Sequence, residues 1–384
     1  MQPNIDTSRL FLRSCRLGFM AIAMAALLSA PHEAVAKDTI KLGFLAPLSG
    51  GSADAGLGPR NAFLLAIDQA NASDFPYHVE GVALDDAADP TTGVAAALKL
   101  VNDPQVVAAT GHYNSGVALA TTPVFHRSGI PFIVWGAISP KITEVNFPEV
   151  TRVVSTLLQE NLPLTEAIVK KFGVKKVAII SDTTDYGVGN TAAFTEFFKA
   201  AGGAITSTDA APTDTADYRA ILTKVKAQAP EAIYYGGVYT EAGVVRKQMV
   251  ELGMKIPMFG ISGIYDTKLI EIAGPAADGV IAGNPAEQAN PKMEEFQRAY
   301  KEHKFAEEAG PNARYAYDAT NILLAAIRNH DPKDHAGVAK AIRAISYDGV
   351  LGRTTFDANG QTQIPVVSDF FIVKDGKWQK WTGK

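Results

Sequence analysis

Apolar, β-branched runs alternate with helical patterns along most of this chain. The first half has such runs at 40–46, 79–84, 106–110 and 131–135, separated by helical patterns at 54–70, 90–101 and 115–127. The alternation restarts further on, with runs at 176–181, 204–208, 232–235, 257–261 and 279–282 and helical patterns at 162–172, 187–201, 218–229 and 242–252. Repeated strand–helix units predict parallel sheets with helices on both faces.

The pattern changes after Pro285. Three helical patterns follow without strands, at 291–303, 314–328 and 337–345, and then short strands at 354–357, 369–373 and 378–381. We therefore expect an α/β fold of two doubly wound, Rossmann-like lobes, in which the late helices return to the first lobe and the last strands to the second. The predicted boundaries are 37–154 plus 285–352 for lobe 1, and 155–284 plus 353–384 for lobe 2. Three crossings between the lobes would form a hinge, which can close about a ligand.

The first 36 residues have the pattern of a signal peptide. Arg9, Arg13 and Arg16 precede a 13-residue apolar run at 17–29, and Ala34-Val35-Ala36 gives the small-x-small site that a signal peptidase cleaves. A membrane-spanning helix needs roughly 20 apolar residues, so the pattern does not favour a permanent anchor. The sequence predicts cleavage before Lys37, export to the periplasm and no membrane insertion of the mature chain.

Composition narrows the functional classes further. The only cysteine, Cys15, lies inside the predicted signal peptide, so the mature chain would have neither disulfides nor thiol chemistry. The formal charge is −4 for the whole chain, and becomes −5 without the leader, which carries three arginines and two acidic residues. This mildly acidic balance favours neither nucleic acid nor an anionic membrane as a partner.

Catalytic signatures are missing from the sequence. It has neither a G-x-x-x-x-G-K-[ST] phosphate loop nor a G-x-S-x-G nucleophile turn, and the histidines after residue 36 lack metal-ligand spacing. His112 follows a predicted strand and could line a cleft, although a hydrogen-bonded structural role is favoured. We therefore expect no catalytic residue, no metal and no cofactor.

One segment imitates a dinucleotide-binding motif. Residues 187–192 fit G-x-G-x-x-A, and Asp209 lies 20 residues after Gly189, where a ribose-binding acid is expected. Against this, residues 182–186 separate the predicted strand from the first glycine, whereas a dinucleotide site needs that glycine at the strand end. The spacing therefore argues against dinucleotide binding.

Small, polar and aromatic residues follow the predicted strands, where open parallel sheets bind their ligands. The candidate ligand-binding residues are Ser115, Gly116, Gly136, Ala137, Ile138, Ser139, Tyr186, Val238, Tyr239 and Ser262. Ser115 begins a predicted helix, whose free N–H groups could hold a carboxylate. The alternative for Ser115 is a plain N-cap. Tyr186 and Tyr239 could cover the ligand from the other lobe.

The same residues carry a resemblance to a known family. The chain resembles the periplasmic binding proteins for branched-chain amino acids (Leu/Ile/Val) of ABC transporters, which have the type I periplasmic binding protein fold. The segments that carry it are 40–50 (IKLGFLAPLSG), 111–112 with Ser115, 136–140, 185–187, 234–237 (YYGG), Tyr315, Asp318, Ala319 and 355–360 (TFDANG). The resemblance covers essentially all of the mature chain. It implies two lobes, a three-crossing hinge, ligand capture without catalysis and a membrane permease as partner.

The family's site residues are only partly kept. The resemblance implies that Ser115 and the 136–139 loop hold the ligand's carboxylate and amino groups. Ile138 stands where the amino-acid binders of this family carry a threonine, and Val238 stands where they usually carry a tyrosine. Ser262 takes the place of the glutamate that pairs with the ligand's ammonium, and Ala55 takes the place of a bulky aromatic residue. A buried ammonium without a carboxylate partner would lose a charge-assisted bond worth roughly 1.5–3 kcal/mol.

The sequence therefore leaves the ligand open. A small amino acid or related carboxylate follows from the resemblance, whereas the lost glutamate favours an aromatic carboxylate or an amide. A ligand-sensing receptor subunit is the alternative functional class. We expect a monomer, the default for a protein that bends at a hinge.

Overall fold

The computed structural model describes Met1, residues 37–287 and residues 289–383. The predicted signal peptide falls almost entirely outside the described residues. All elements below belong to the unit Thr39–Lys384. Within the described residues, none of the helices combines the length and apolar character needed to cross a membrane.

The first sheet is parallel and is built from the first part of the chain. Its strands are β1 (Thr39–Ala46), β2 (His78–Asp85), β3 (Val106–Gly111), β4 (Phe132–Val134) and β5 (Val150–Arg152). They lie in the order β2-β1-β3-β4-β5. The intervening helices are α1 (Asp54–Asn71), α2 (Pro90–Val101), α3 (Ser115–Ser128) and α4 (Lys141–Glu144). Asp89 caps α2 ahead of Pro90, and Gly129 ends α3 in the left-handed conformation that glycine adopts without strain.

The second α/β segment repeats this arrangement. Its strands are β6 (Lys176–Asp182), β7 (Ala204–Ala211), β8 (Ala232–Tyr235), β9 (Met258–Gly260) and β10 (Val280–Pro285). Its helices are α5 (Leu157–Lys170), α6 (Asp185–Ala200), α7 (Arg219–Ala227), α8 (Tyr239–Glu251) and α9 (Thr267–Ala273), with 3₁₀ turns at Ser262–Ile264 and Gly274–Ala277. The strands pair in parallel, as βαβ connections require.

The remaining elements return to both sheets. They are α10 (Pro291–His303), α11 (Ala313–Arg328), α12 (His335–Arg343), β11 (Tyr347–Gly349), β12 (Gly352–Thr354), β13 (Ser368–Lys374) and β14 (Lys377–Lys380). Helices α10 and α11 pack on α1, and α12 packs on α11 and β5. Strand β13 pairs antiparallel with β10, which gives the order β14-β13-β10-β9-β8-β6-β7. The chain therefore passes between the two sheets three times.

Each sheet is buried by helices on both faces. Phe44 of β1 is fully buried and stacks on Trp135, with the ring centroids 5.8 Å apart. In the second sheet Tyr234 stacks on Phe194 of α6 at 3.6 Å. Burying one such side chain stabilises the fold by roughly 1.5–3 kcal/mol. The carboxyl ends of the strands stay outside these cores and are free to form a site.

The predicted fold class is confirmed, with two differences that affect the site. Helix α5 begins at Leu157 rather than at residue 162, because Thr156 and Gln159 form a capping box. Pro163 lies in the second turn of this helix. Helix α6 begins at Asp185, two residues earlier than expected. The exact residue boundaries of the two lobes stay a prediction.

Candidate functional site

A cavity of about 690 Å³ lies between the carboxyl ends of the two sheets. This volume is in the range of small-molecule sites. Seven predicted residues line it: Ser115, Gly116, Gly136, Ile138, Tyr186, Val238 and Ser262. The other three predicted residues, Ala137, Ser139 and Tyr239, are buried and do not line it. Ligand contact by any of the ten stays a prediction.

The N-terminus of α3 forms one wall of the cavity. Asn114 precedes the helix but makes no side-chain cap, so the first N–H groups keep no internal side-chain partner. Ser115 is the first helical residue and is not the N-cap. Its Oγ accepts a hydrogen bond from the Ser139 N–H at 3.2 Å. Asn114 Oδ1 is buried without a partner, so this wall offers both amide donors and a free acceptor.

The loop that carries Gly136 and Ile138 is held from behind by Arg152. The guanidinium donates to the Ser139 carbonyl at 2.5 Å and to Thr143 Oγ1 at 3.1 Å. It also donates to Gln361 Oε1 at 2.6 Å, on a later crossing between the sheets. Burial lowers the pKa of Arg152 to about 9. The main-chain groups of Ser139 are therefore bound to Ser115 and Arg152, which fixes the shape of the loop.

Glu160 supplies a carboxylate that the sequence analysis missed. It lies in the first turn of α5, lines the cavity and is only 3% exposed. Ser155 Oγ donates to Oε1 at 2.5 Å, and the Ser262 N–H donates to Oε2 at 3.3 Å. Burial raises the pKa of Glu160, which these hydrogen bonds oppose. The carboxylate therefore lies beside Ser262, the position where the resemblance implies a glutamate, and its pairing with a ligand ammonium stays a prediction.

The two tyrosines proposed to cover the ligand have different positions. Tyr186 lines the cavity, and its hydroxyl is buried without a hydrogen-bond partner. Tyr239, the first residue of α8, packs in the apolar cluster of the second sheet. Its neighbours Val238 and Thr240 line the cavity instead. Successive helical residues point about 100° apart, so only some residues of a helix start can face a site.

The charges around the cavity are all of one sign. Six carboxylates line it: Asp89, Glu160, Asp182, Asp185, Asp214 and Glu241. Among the described lining residues there is no lysine, arginine or histidine. Burial and the neighbouring Glu241 raise the pKa of Asp182. A cleft with this lining attracts cations and repels anions.

Comparison with known proteins identifies the family. A family model described as periplasmic binding protein matches residues 39–374. The chain belongs to this family. A leucine-, isoleucine-, valine-, threonine- and alanine-binding protein of Pseudomonas aeruginosa is 28% identical over 356 residues, or 92% of each chain. A Leu/Ile/Val-binding protein homolog of Brucella abortus is 29% identical over 346 residues, or 88% of this chain and 92% of the relative.

Solved structures agree with this assignment. A leucine-binding protein from Thermotoga maritima superposes with a TM-score of 0.83 at 26% identity, covering 89% of this chain and 98% of that one. A type 1 periplasmic binding protein from Bordetella pertussis gives the same score and identity, covering 90% and 100%. The chain is thus a type I protein of the branched-chain amino acid-binding group, a substrate-binding protein of ABC-transporter type. Members of this family bind small molecules, work with permeases and are not enzymes.

Two motifs of this binding protein have structural explanations. His112 is fully buried, with Nδ1 2.6 Å from Asp86 and Nε2 2.9 Å from the Thr121 hydroxyl. It therefore fastens β3 to neighbouring elements and does not face the cavity. Its main-chain carbonyl accepts hydrogen bonds from the N–H groups of residues 136 and 137.

The dinucleotide-like segment is also structural, and residues 183–186 separate the end of β6 from Gly187, as the argument from spacing requires. Only two residues separate β6 from α6, because the strand extends to Asp182 and the helix begins at Asp185. Thr184 Oγ1 accepts from the Gly187 N–H at 3.1 Å, and the Asp182 carboxylate lies against Gly187. These groups occupy the place that a pyrophosphate would need, and one of them is negatively charged.

Proposed function

We propose that this binding protein captures a small amino acid in the periplasm, as a monomer, and delivers it to the permease of an ABC importer. The ligand's carboxylate would bind at the uncapped N-terminus of α3, near Ser115 and the 136–139 loop. Its ammonium would bind Glu160. The observation that carries the proposal is a buried carboxylate that lines the same cavity as free helix amides.

Glu160 has the features of an ammonium ligand. Both of its oxygens accept hydrogen bonds from neighbouring donors, which favours the ionised form. Its second oxygen is bonded to Ser262, the position where the resemblance implies a glutamate. A carboxylate thus reaches the same part of the cavity from α5 instead of from the loop after β9. An incoming ammonium would offset the desolvation of Glu160 with a charge-assisted hydrogen bond.

An aromatic carboxylate without an ammonium fits the cavity less well. Such a ligand could still use the amides at the start of α3. It would, however, meet six carboxylates and no cationic side chain among the described lining residues. The names of the relatives from Pseudomonas aeruginosa and Brucella abortus, which refer to amino acids, support the same choice.

Titration calorimetry tests this function. Leucine, isoleucine, valine, threonine, alanine and benzoate would each be titrated into the protein freed of bound ligand. We expect at least one amino acid to bind and benzoate not to bind. Glu160→Gln should weaken amino-acid binding by about tenfold or more, because it removes a charge-assisted bond. Glu196→Gln, an exposed position on α6, serves as the control and should leave affinity unchanged. Tight benzoate binding without any amino-acid binding would overturn the proposal.

A further inference from the structure

Three carboxylates of the cavity are buried and form no direct ion pair within the described residues, although Arg314 lies near enough to Glu160 to oppose the rise of its pKa. Glu160, Asp182 and Glu241 are 3%, 1% and 6% exposed. Within the part of the chain that the structure describes, none of the three forms an ion pair with a lysine, arginine or histidine. Buried carboxylates are rarely left unpaired, because removing a charge from water is costly. An amino acid's single ammonium would neutralise only one of them.

Asp182 and Glu241 form the part of the cavity that an α-amino acid head group does not explain. Asp182 Oδ1 accepts from the Thr184 N–H at 2.9 Å, and Glu241 Oε1 accepts from the Asp214 N–H at 3.0 Å. These hydrogen bonds orient the two carboxylates but bring no positive charge. Repulsion by Glu241 contributes to the raised pKa of Asp182. Two like charges are therefore held together on one wall.

A tyrosine hydroxyl without a partner also lies in this cavity. Tyr186 lines the cavity, and its hydroxyl is buried and has no hydrogen-bond partner among the described residues. Tyr186 is the second residue of α6, which begins three residues after Asp182. The cavity thus contains an unused polar atom as well as carboxylates without an ion pair. Both are features of a site that a ligand completes.

The cation that fits here is organic rather than a metal ion. Among the described residues, no group of three or more histidine, cysteine, aspartate or glutamate side chains could hold a metal ion. Asp182 ends strand β6 and Glu241 follows strand β8, whereas Glu160 bonds to Ser262 after β9. An extended ligand with a cationic group at each end could pair with Glu160 at one end and with Asp182 and Glu241 at the other.

We propose that the ligand carries a second cationic group that binds between Asp182 and Glu241, so that the substrate class is basic amino acids. The inference rests on the proposed function, since the α-ammonium and α-carboxylate keep their places at Glu160 and the α3 N-terminus. The side-chain cation would extend into the second-lobe end of the cavity. There it would pair with both carboxylates, whose like charges repel each other.

A matched pair of ligands tests the inference on the unaltered protein. L-lysine and L-norleucine differ only in the terminal ammonium group. Calorimetry should show lysine binding at least about tenfold more tightly, because the ammonium gains charge-assisted hydrogen bonds. The lysine affinity should also fall more steeply with added salt than the norleucine affinity.

Conservative variants locate the second cationic site. Asp182→Asn and Glu241→Gln keep size and most hydrogen bonds while removing one charge each. Each should weaken lysine binding by about tenfold and change norleucine binding by less than threefold. Glu196→Gln removes a charge from an exposed part of α6 and should change neither. Circular dichroism of each variant shows whether it has folded before its affinity is compared.

The outcomes separate this inference from the function on which it rests. Equal affinity for lysine and norleucine would overturn the second cationic site while amino-acid binding stands. Tighter lysine binding that both variants leave unchanged would also overturn it. Failure of every amino acid to bind, norleucine and leucine included, would overturn the proposed function itself.

Discussion

Arg152 is a fully buried cation that binds main-chain and neutral side-chain oxygens. Its donors satisfy the Ser139 carbonyl, Thr143 Oγ1 and Gln361 Oε1. Within the described residues it forms no ion pair with a carboxylate. Its planar fork joins the ligand-site loop to a distant crossing segment, which a point charge such as lysine could not do equally well.

Replacing Arg152 should therefore destabilise the protein strongly. Arg152→Met leaves several buried acceptors without donors, and we expect a loss of at least about 3 kcal/mol in the free energy of unfolding. Urea denaturation followed by circular dichroism measures it. Arg152→Lys should lose less, since it keeps the charge and some donors. Arg298→Met, on the exposed face of α10, is the control, and equal stability of Arg152→Met and this control would contradict the assignment.

At the scale of single residues, the sequence predicted which residues lie near the cavity better than it predicted which side chains point into it. Ser115 and Gly136 line the cavity because they follow strands, which is a property of the topology. Tyr239 also follows a strand, but its side chain turns into the apolar cluster. Glu160 could have been found from the Thr156–Gln159 capping box, which starts α5 early enough to bring Glu160 into the first turn.

Asp318 links α11 to the hairpin β11–β12 by hydrogen bonds. Its carboxylate accepts from the N–H groups of Val350 at 3.0 Å and Leu351 at 2.8 Å. Burial raises the pKa of Asp318 to about 7, even though both hydrogen bonds act to lower it. The carboxylate also lies directly against Gly349, where no larger residue would fit without a shift. Asp318 thus binds the turn of the hairpin to α11, and the burial of Val350 and Leu351 in the apolar core adds to this contact.

The raised pKa of Asp318 gives a pH dependence with a definite sign. In the unfolded chain the group titrates near 3.8, and in the folded protein near 7. The folded state therefore holds a proton that the unfolded state has lost, so this contribution to stability is complete below about pH 4 and disappears as pH rises to about 7. Relative to Asp318→Asn, the wild type should lose on the order of 1 kcal/mol of unfolding free energy per pH unit within that window.

Chemical denaturation at pH 5, 6, 7 and 8 measures this difference. When the free energy of unfolding is plotted against pH, the curves for wild type and Asp318→Asn should converge or cross. The curve for Glu196→Gln should run parallel to that of the wild type. Parallel curves for Asp318→Asn would show that Asp318 is not the titrating group. Other buried carboxylates are common to both proteins, so they cancel in the comparison.

Element boundaries could be predicted where local signals were strong. Asp89 and Pro90 marked the start of α2, and the structure agrees. For α5 the helical pattern was placed at residues 162–172, whereas the Thr156–Gln159 capping box starts the helix at Leu157. A local capping signal therefore predicts a helix start better than the apolar pattern does.

At the scale of the molecule, the cavity lies between two sheets joined by three crossings. Its walls come from both sheets, so a ligand contacts both at once. Such an arrangement closes by rotation at the crossings, while each sheet keeps its own core. Binding should therefore change the overall dimensions more than the local structure.

Closure gives a measurable prediction for the whole protein. The amino acid that binds most tightly in calorimetry should reduce the radius of gyration in X-ray scattering and raise the melting temperature. At a ligand concentration 100 times Kd, mass action alone stabilises the folded state by about 2.7 kcal/mol. Benzoate at the same concentration is the negative control. Melting that shifts without any change in scattering would count against hinge closure.

The overall architecture could be predicted from the strand–helix alternation, because that pattern reflects burial on both faces of parallel sheets. The acidic character of the cavity could not be predicted from the sequence. Asp182, Asp214 and Glu241 are far apart in sequence, and the pairing of β6 with β7 and β8 brings the end of β6, the loop after β7 and the start of α8 to the same cavity. In the sequence, an acidic residue that lies on the surface cannot be told from one that lines a cavity until the fold is known.

The late return of the chain to both sheets affects how the protein is made. Helices α10–α12 cover the first sheet, and β13 and β14 extend the edge of the second, although all of them come after β10. A polypeptide that emerges N-terminus first can complete neither half until its last segments have left the ribosome. Delayed folding of this kind suits passage through a narrow translocation channel, and loss of the last 50 residues, which include α12, β13 and β14, would leave both halves unfinished.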